Sequence, residues 1–167
     1  MLGFHVRQET ETERAFIVLA AQPFPLPRKL SPALASAYRQ WKALIRAENT
    51  MPFSDDISLL RHGKLSPNLL LIDVFSTPQR FRFNHLGEKT IAKLGADISG
   101  KFADELDLRE PFNYFLAQAS ATVEVAAPTF YSSSPPRPKR TRRGGYSRIL
   151  LPAWGNGRVD LLLGAIG

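Results

Sequence analysis

The sequence predicts an α+β domain in which an antiparallel sheet is interrupted by a helical middle. Two short strands joined by a turn are expected between residues 69 and 87, and two more, joined by an Asn-Gly turn, between residues 146 and 166. The residues between these hairpins show helical spacing of apolar side chains. With 167 residues, 44% of them hydrophobic, and no internal repeat, the chain fits one domain with its own core.

Residues 1–30 are predicted to form an N-terminal arm, and residues 31–167 the domain. The arm contains one apolar run, residues 15–21, which is too short to span a bilayer and is not preceded by a basic leader. Thr10 and Glu13 could cap a short helix over this run, although the same residues fit a strand equally well. We therefore expect a cytoplasmic protein that does not contact a membrane.

A leading amphipathic helix is predicted over residues 32–47. Ser31 is a suitable N-cap, and Pro32 suits the first turn. Its apolar side chains either cover the sheet of their own domain or pair with a second copy or a partner protein. The candidate contact residues are Tyr38, Trp41, Leu44 and Ile45.

The first hairpin is predicted from two patterns. Residues 69–75 form a bounded apolar run, and residues 80–87 alternate between apolar and polar side chains. A short helix over residues 88–94 is expected to follow and to end at Gly95, which accepts the left-handed conformation.

A longer helix is predicted to begin near Pro111. Asp107 and Glu110 resemble a capping pair, and Pro111 fits the first helical turn. Because this connection is too long for a hairpin, we expect the helices to cross one face of the sheet and to roof a cavity. The apolar stripe of the helix consists of Phe112, Phe115, Leu116, Ala119 and Val123.

A third strand is expected over residues 128–133, followed by a basic loop over residues 132–145. The net charge of the chain is +7, and five cations fall within residues 137–143 without an acidic residue among them. A solvated loop is the favoured interpretation, and an anion-binding role is the alternative. The five residues are Arg137, Lys139, Arg140, Arg142 and Arg143.

The last two strands are predicted over residues 146–153 and 158–164, with Asn156 and Gly157 in the turn. Tyr146 and Arg148 share one face of the fourth strand. If Arg148 faces inward, it is expected to meet a carboxylate or a ligand anion, since an unpaired buried guanidinium is very costly. If it faces outward, it extends the basic surface.

A series of short segments spans residues 34–164 in a recognisable order. These segments are Tyr38-Arg39-Gln40-Trp41, Met51-Pro52, Asp55-Asp56-Ile57, residues 69–74, Phe81-Arg82-Phe83, Leu86-Gly87, residues 95–101 and residues 146–152. In order and spacing they resemble a bacterial family of divergent PAS-type sensory domains. The resemblance implies five mostly antiparallel strands in the order 2-1-5-4-3, helices on one face and an extra N-terminal helix.

The resemblance also implies a non-catalytic signalling role. In such a role, a small ligand or a protein partner shifts the packing between helices and sheet, and the domain often forms a homodimer. The residues expected around the ligand pocket are Phe83, His85, Ile91, Leu94, Phe102, Leu106, Phe112, Phe115 and Leu116. For each of them, ordinary core packing is the competing interpretation.

Several kinds of chemistry are disfavoured by the residues. The chain has no cysteine, which excludes a catalytic thiol, thiolate zinc sites and a flavin-cysteine adduct. His85, predicted on the same strand face as Phe81 and Phe83, is a candidate haem ligand or proton-sensitive switch, although a packed histidine is favoured. The Gly95 to Lys101 segment resembles a phosphate loop but lacks the following Ser or Thr. We expect no metal site and no enzymatic activity, and the sequence identifies no cofactor.

The alternative function is that of a small nucleic-acid or anionic-ligand binding protein that uses residues 137–143. It is less favoured, because aromatic stacking residues and a recognition helix are not interleaved with the charge.

Overall fold

The computed structural model describes residues 23–61, 67–133 and 145–167. The strands are β1 (Leu69–Ser76), β2 (Gln79–Leu86), β3 (Thr129–Ser132), β4 (Ser147–Gly155) and β5 (Arg158–Ile166). The helices are α1 (Pro32–Ala43), α2 (Ser54–Ser58), α3 (Glu88–Leu94) and α4 (Phe115–Val125), with 3-10 turns at Leu59–Arg61 and Ala103–Glu105. The proposed helix or strand at residues 15–21 lies outside the described residues.

The five strands form one sheet in the order β2-β1-β5-β4-β3, and each neighbouring pair is antiparallel. This is the strand order that the resemblance implied. The fold class is therefore α+β and PAS-like, as the sequence predicted. The long connection from β2 to β3 carries α3 and α4, so the two hairpins meet at the centre through β1 and β5.

Both hairpin turns form where the sequence placed them. Thr77 and Pro78 connect β1 to β2. Asn156 and Gly157 adopt φ values of 53° and 74°. Positive φ at both central residues is what a type I′ turn, the common two-residue turn of β-hairpins, requires. Gly95 ends α3 with a φ of 81°, which confirms its predicted role.

The sheet is buried on both faces. Leu150 and Leu162 lie on one face, Leu151 and Leu163 lie on the other, and all four side chains are 0% exposed. Helix α4 covers the first face through contacts with β3 and β4, whereas α1, the extra helix, contacts β4 and β5. The central strands consequently read as continuous apolar runs, because both of their faces exclude water.

Helix α1 is shorter than predicted. It begins at Pro32, as expected, but ends at Ala43 instead of residue 47. Ser31 occupies the N-cap position without making the side-chain hydrogen bond of a cap. Beyond the helix, the chain turns at Ala47, which has a φ of 50°, and brings Pro52 beside β4, where its carbonyl accepts a hydrogen bond from the Trp154 N–H. The docking of this connection against β4 explains the early end of the helix.

Helix α4 begins later than predicted. It starts at Phe115, so the capping pair of Asp107 and Glu110 with Pro111 does not begin a helix here. The carbonyl oxygens of Pro111 and Asn113 instead accept hydrogen bonds from Arg148 on β4. Since these carbonyls are used by the sheet, the segment before Phe115 stays non-helical, which places Phe112 ahead of the helix.

A β-bulge changes the orientation of His85. Phe83 pairs with Ile72, but His85 pairs with the adjacent Leu71, so the β2 side chains beyond Phe83 change faces. Leu86 takes the face of Phe83, and His85 lies on the opposite one. The prediction that His85 shares a face with Phe81 and Phe83 is therefore wrong, because strict alternation does not hold across a bulge.

Candidate functional site

The buried arginine of β4 is the most unusual group in the described core. Arg148 is 0% exposed and is the largest of the fully buried side chains. It faces inward, towards the 111–118 segment, and so does not extend the basic surface. An arginine is almost never buried to this degree unless its donors are satisfied.

Neutral oxygens accept a hydrogen bond from each nitrogen of the Arg148 guanidinium. Its Nε donates to Gln118 Oε1 at 2.7 Å, its Nη1 to the Pro111 carbonyl at 2.9 Å, and its Nη2 to the Asn113 carbonyl at 2.9 Å. Arg148 forms no salt bridge with a described acidic residue. Among the described residues, backbone carbonyls and an amide take the place of the expected carboxylate, and the alternative partner, a ligand anion, stays a prediction.

Gln118 connects Arg148 to two threonines through further hydrogen bonds. Its Nε2 donates to Thr129 Oγ1 at 3.1 Å, and the hydroxyls of Thr129 and Thr122 lie 2.6 Å apart. Thr122 Oγ1 is also 2.8 Å from the Gln118 carbonyl, which can only accept, so Thr129 is the donor between the two hydroxyls. All three side chains are 0% exposed. The polar cluster of Arg148, Gln118, Thr122 and Thr129 thus ties α4 to β3 and β4.

Aromatic rings enclose the guanidinium. Its carbon atom lies 5.0 Å from the Tyr131 ring centroid and 5.5 Å from that of Phe115. Burial lowers the pKa of Arg148 to about 10, because desolvation disfavours the charged form. Burial raises the pKa of the neighbouring Tyr146 hydroxyl for the corresponding reason, since its charged form is the anion. The site therefore holds a cation at neutral pH, at a cost in solvation.

The predicted pocket residues divide into a tight cluster and a periphery. Phe83, Phe112 and Phe115 are at most 1% exposed, and their ring centroids lie 5.2–5.6 Å apart. Phe81 meets the cluster edge-on at Phe115. These rings fill the space between α4 and the sheet. Three other predicted pocket residues are partly buried and pack against the wider core: Ile91, Leu94 and Leu106.

Three of the predicted pocket residues lie apart from that cluster. Phe102 is at the outer edge of β2, where its ring centroid is 3.8 Å from the Arg80 guanidinium and 5.4 Å from the Phe75 ring. Leu116 is 41% exposed on α4. His85, as described above, lies on the other side of the sheet. The structure therefore does not bring these three together with Phe83.

The four residues predicted to make contacts from the leading helix face their own domain. Trp41 is 3% exposed, and its indole N–H donates to the Pro152 carbonyl at 2.7 Å. The other three are partly buried against the core: Tyr38, Leu44 and Ile45. Pairing of this helix with a second copy stays a prediction.

The loop between Gly95 and Lys101 does not present its backbone as a phosphate loop would. Gly100 has a φ of 84°, and its N–H donates to the Phe83 carbonyl at 2.6 Å. Asp97 closes the loop by accepting hydrogen bonds from Ser99, and the bond from the Ser99 hydroxyl is the main reason that its pKa is lowered. Gly100 therefore bends the backbone at a left-handed conformation that glycine adopts readily.

Some predictions fall where the structure can say nothing. The basic residues of 137–143 lie outside the described residues. Within the described ranges, no three His, Asp or Glu side chains are grouped so that they could hold a metal ion. None of the described helices is long and apolar enough to cross a membrane.

Sequence reasoning missed the polar partners of Arg148. Gln118 and Thr122 are separated by four residues on the same helix face as Phe115 and Ala119, which are apolar and buried. Polar side chains inside an apolar helical stripe were the available signal. Thr129 gave no such signal, because threonine is common in strands.

A second feature lies at the far end of β4. Trp154 and Phe53 are each 41% exposed, and grooves of about 380 Å³ and about 310 Å³ lie on either side of them. The first groove is mainly apolar, and the second is lined by polar and acidic residues. No motif in the sequence marked this surface.

Comparison with known proteins gives limited similarity. No protein-family model matches the chain, and no curated protein matches it. A solved structure, described as the crystal structure of a sensory box sensor histidine kinase from Vibrio cholerae, is similar with a TM-score of 0.45 and 16% sequence identity. That similarity covers 66% of this chain and 85% of the other. The architecture is therefore assigned from the strand order and pairing of this chain itself.

Proposed function

We propose that this chain is a non-catalytic, cytoplasmic PAS-type sensory domain in which a small ligand or a protein partner alters the packing of the 111–118 segment against the sheet. The observation that carries the proposal is the position of Arg148. All three of its side-chain hydrogen bonds end on that segment, so one buried cation joins the segment to β4 at three points.

Two features make this connection suitable for a two-state response. The acceptors of Arg148 are neutral, so the cation is stabilised less than it would be by a carboxylate. Because all three acceptors lie on one short segment, a shift of that segment can exchange one set of acceptors of Arg148 for another. A ligand that binds one arrangement more tightly shifts the population towards it.

The charge of Arg148 selects the class of ligand. A buried guanidinium with neutral partners favours a small anion, such as a carboxylate, over a neutral or cationic molecule. Tyr131 and Tyr146, which flank Arg148, supply aromatic surface and hydroxyl groups for such a molecule.

The first experiment is native mass spectrometry and an absorption spectrum of the freshly purified full chain. A copurified metabolite, flavin or haem would identify the ligand directly. A clean spectrum together with the mass of the bare chain would favour the protein-partner form of the proposal.

The second experiment is a thermal-unfolding screen with small carboxylates and phosphates. We expect at least one of them to raise the melting temperature of the wild-type chain and to slow amide hydrogen exchange in α4. Arg82→Met, a change at a half-exposed arginine of β2, should keep this response, whereas Arg148→Met should lose it. An equal response in both variants would contradict a role of Arg148 in ligand binding.

A further inference from the structure

Two exposed aromatic side chains stand side by side at the end of β4. Phe53 and Trp154 form a parallel bridge, held by the hydrogen bond of 2.9 Å from the Trp154 N–H to the Pro52 carbonyl. Each side chain is 41% exposed. Two adjacent aromatic side chains that each leave about two fifths of their surface exposed form an apolar patch, and such patches mark candidate contact surfaces.

The grooves beside this pair differ in chemistry. On one side, Met51 and Ala126 help to line the mainly apolar groove of about 380 Å³. On the other, Asp55 and Asp160 line the polar groove of about 310 Å³. Asp160 accepts a hydrogen bond of 3.1 Å from Asn156 Nδ2, which orients its carboxylate. We call Phe53, Trp154 and these two grooves the Trp154 surface.

This combination suits one kind of peptide. Proline-rich segments in the polyproline II conformation dock into grooves lined by aromatic side chains, because their extended backbone is already ordered before binding. Acidic residues beside such a groove attract arginines or lysines that flank the prolines. A proline-rich basic peptide therefore matches both halves of the Trp154 surface.

The chain itself contains such a sequence. Residues 135–140 read Pro-Pro-Arg-Pro-Lys-Arg, with prolines three positions apart at Pro135 and Pro138. Five positive charges fall within residues 137–143, and no acidic residue lies among them. The composition is therefore complementary to the Trp154 surface in both charge and conformational preference.

The residues that flank the segment lie at the opposite end of β4 from Trp154 of the same molecule. The N–H of Ser133 donates to the Tyr146 carbonyl, so the segment begins and ends beside the start of β4. Trp154 is eight extended residues further on, or ~26 Å at ~3.3 Å per residue. Lys139, at the middle of the segment, is six residues from both Ser133 and Gly145 and reaches at most ~21 Å.

We propose that the Trp154 surface binds residues 134–144 of a second copy of this chain. Because the groove and the segment are at opposite ends of β4, the contact joins two different surfaces of the two copies. This inference concerns a surface away from Arg148 and stands independently of the proposed sensory role.

The direct test measures binding of a fluorescein-labelled peptide with the sequence of residues 134–144 to the full chain. The protein is held at a concentration at which it sediments as a monomer, and binding is followed by fluorescence anisotropy. We expect the native peptide to bind about tenfold more tightly than a peptide in which Pro135, Pro136 and Pro138 are alanine. Equal binding of the two peptides would reduce the contact to charge alone and overturn the proposal.

Protein variants locate the contact. Trp154→Ala and Phe53→Ala should each weaken peptide binding by about tenfold. Leu116→Ser is the matched control, because Leu116 is also 41% exposed but does not line these grooves, and it should bind as the wild type does. Weakening by Leu116→Ser to the same extent, or no effect of either aromatic variant, would contradict the proposal.

Two further measurements guard against misfolding and other partners. Asp55→Asn changes an exposed side chain and should weaken binding at low salt, and circular dichroism should confirm that each variant is folded. Sedimentation of the wild-type chain should show self-association that rises with concentration and is lost when the three prolines are replaced. A chain that stays monomeric at high concentration, and whose basic segment binds a single-stranded RNA instead, would refute the inference.

Discussion

Arginines occur in two contrasting places on the sheet. Arg82 on the edge strand β2 is 40% exposed at its side chain and forms a salt bridge of 2.9 Å with Asp73 of β1. Arg148 is completely buried and is bonded to neutral oxygens only, among the residues described. The ion pair is the stronger interaction in isolation, but both of its side chains are partly exposed, so water can replace part of the interaction when the pair is broken. The buried arginine has no such alternative, so its loss should cost more.

Arg80 extends the contrast. Its guanidinium donates to both carboxylate oxygens of Asp104 and to Glu105, and these hydrogen bonds raise the pKa of Arg80. Burial acts in the opposite direction on Arg148. Each guanidinium donates three side-chain hydrogen bonds, so we expect a difference in burial, and not in the number of bonds, to decide how much stability each arginine contributes.

The largest effect should come from Arg148→Met, which leaves two carbonyls and the Gln118 amide oxygen without a donor. Each unsatisfied acceptor costs ~1–3 kcal/mol, and relief of the buried charge offsets part of the total. We expect the free energy of unfolding, measured with urea, to fall by about 3 kcal/mol.

Arg158→Met is the matched control for that change. Arg158 also donates to backbone carbonyls, those of Val74 and Val159, but it is only part-buried. Its loss should cost about 1 kcal/mol. Equal losses for the two variants would show that burial is not the cause.

Gln118→Leu should have the next largest effect. It removes the acceptor of Arg148 Nε and the donor to Thr129 while keeping apolar volume, which should cost about 2 kcal/mol in urea unfolding. Gln40→Leu on α1, where the amide contacts Ser36 in a half-buried position, should change stability by less than about 0.5 kcal/mol. A neutral Gln118→Leu would indicate that the polar cluster is dispensable.

Arg82→Met should have a small effect. It breaks the salt bridge to Asp73, but exposed ion pairs contribute about 0–1 kcal/mol, and we expect a loss within that range. Raising the salt concentration should narrow the difference from the wild type. A loss as large as that of Arg148→Met would invalidate the contrast between the edge and the interior.

The smallest effect should be on how the free energy of unfolding changes at acidic pH. The hydrogen bond from Arg80 lowers the pKa of Asp104 in the folded chain. In acid, the Asp104 carboxylate therefore takes up a proton more readily in the unfolded chain than in the folded one. The contribution is present above the ordinary carboxyl pKa and is lost as the pH falls through the lowered value. Asp104→Asn should therefore lose less stability than the wild type between pH 7 and strongly acidic pH, as followed by urea unfolding. An unchanged acid dependence would contradict the assignment.

The sequence predicted the sheet better than the site. Five strands and both turns were expected, because period-two alternation and an Asn-Gly turn are local signals. The strand order was implied by the family resemblance of the sequence. The start of α4 and the face of His85 were predicted wrongly. In each case a distant contact or a bulge overrides the local pattern: Arg148 takes the carbonyls before Phe115, and the bulge beyond Phe83 shifts the register.

The amino-acid order alone determined the antiparallel α+β architecture, since hydrophobic periodicity and turn residues act over a few positions. Only the tertiary structure decided that Arg148 is buried and which atoms satisfy it, because Gln118 and Pro111 are 30 and 37 residues away along the chain. Only folding could likewise place Phe53 beside Trp154, because their bridge forms when the segment after α1 docks against β4.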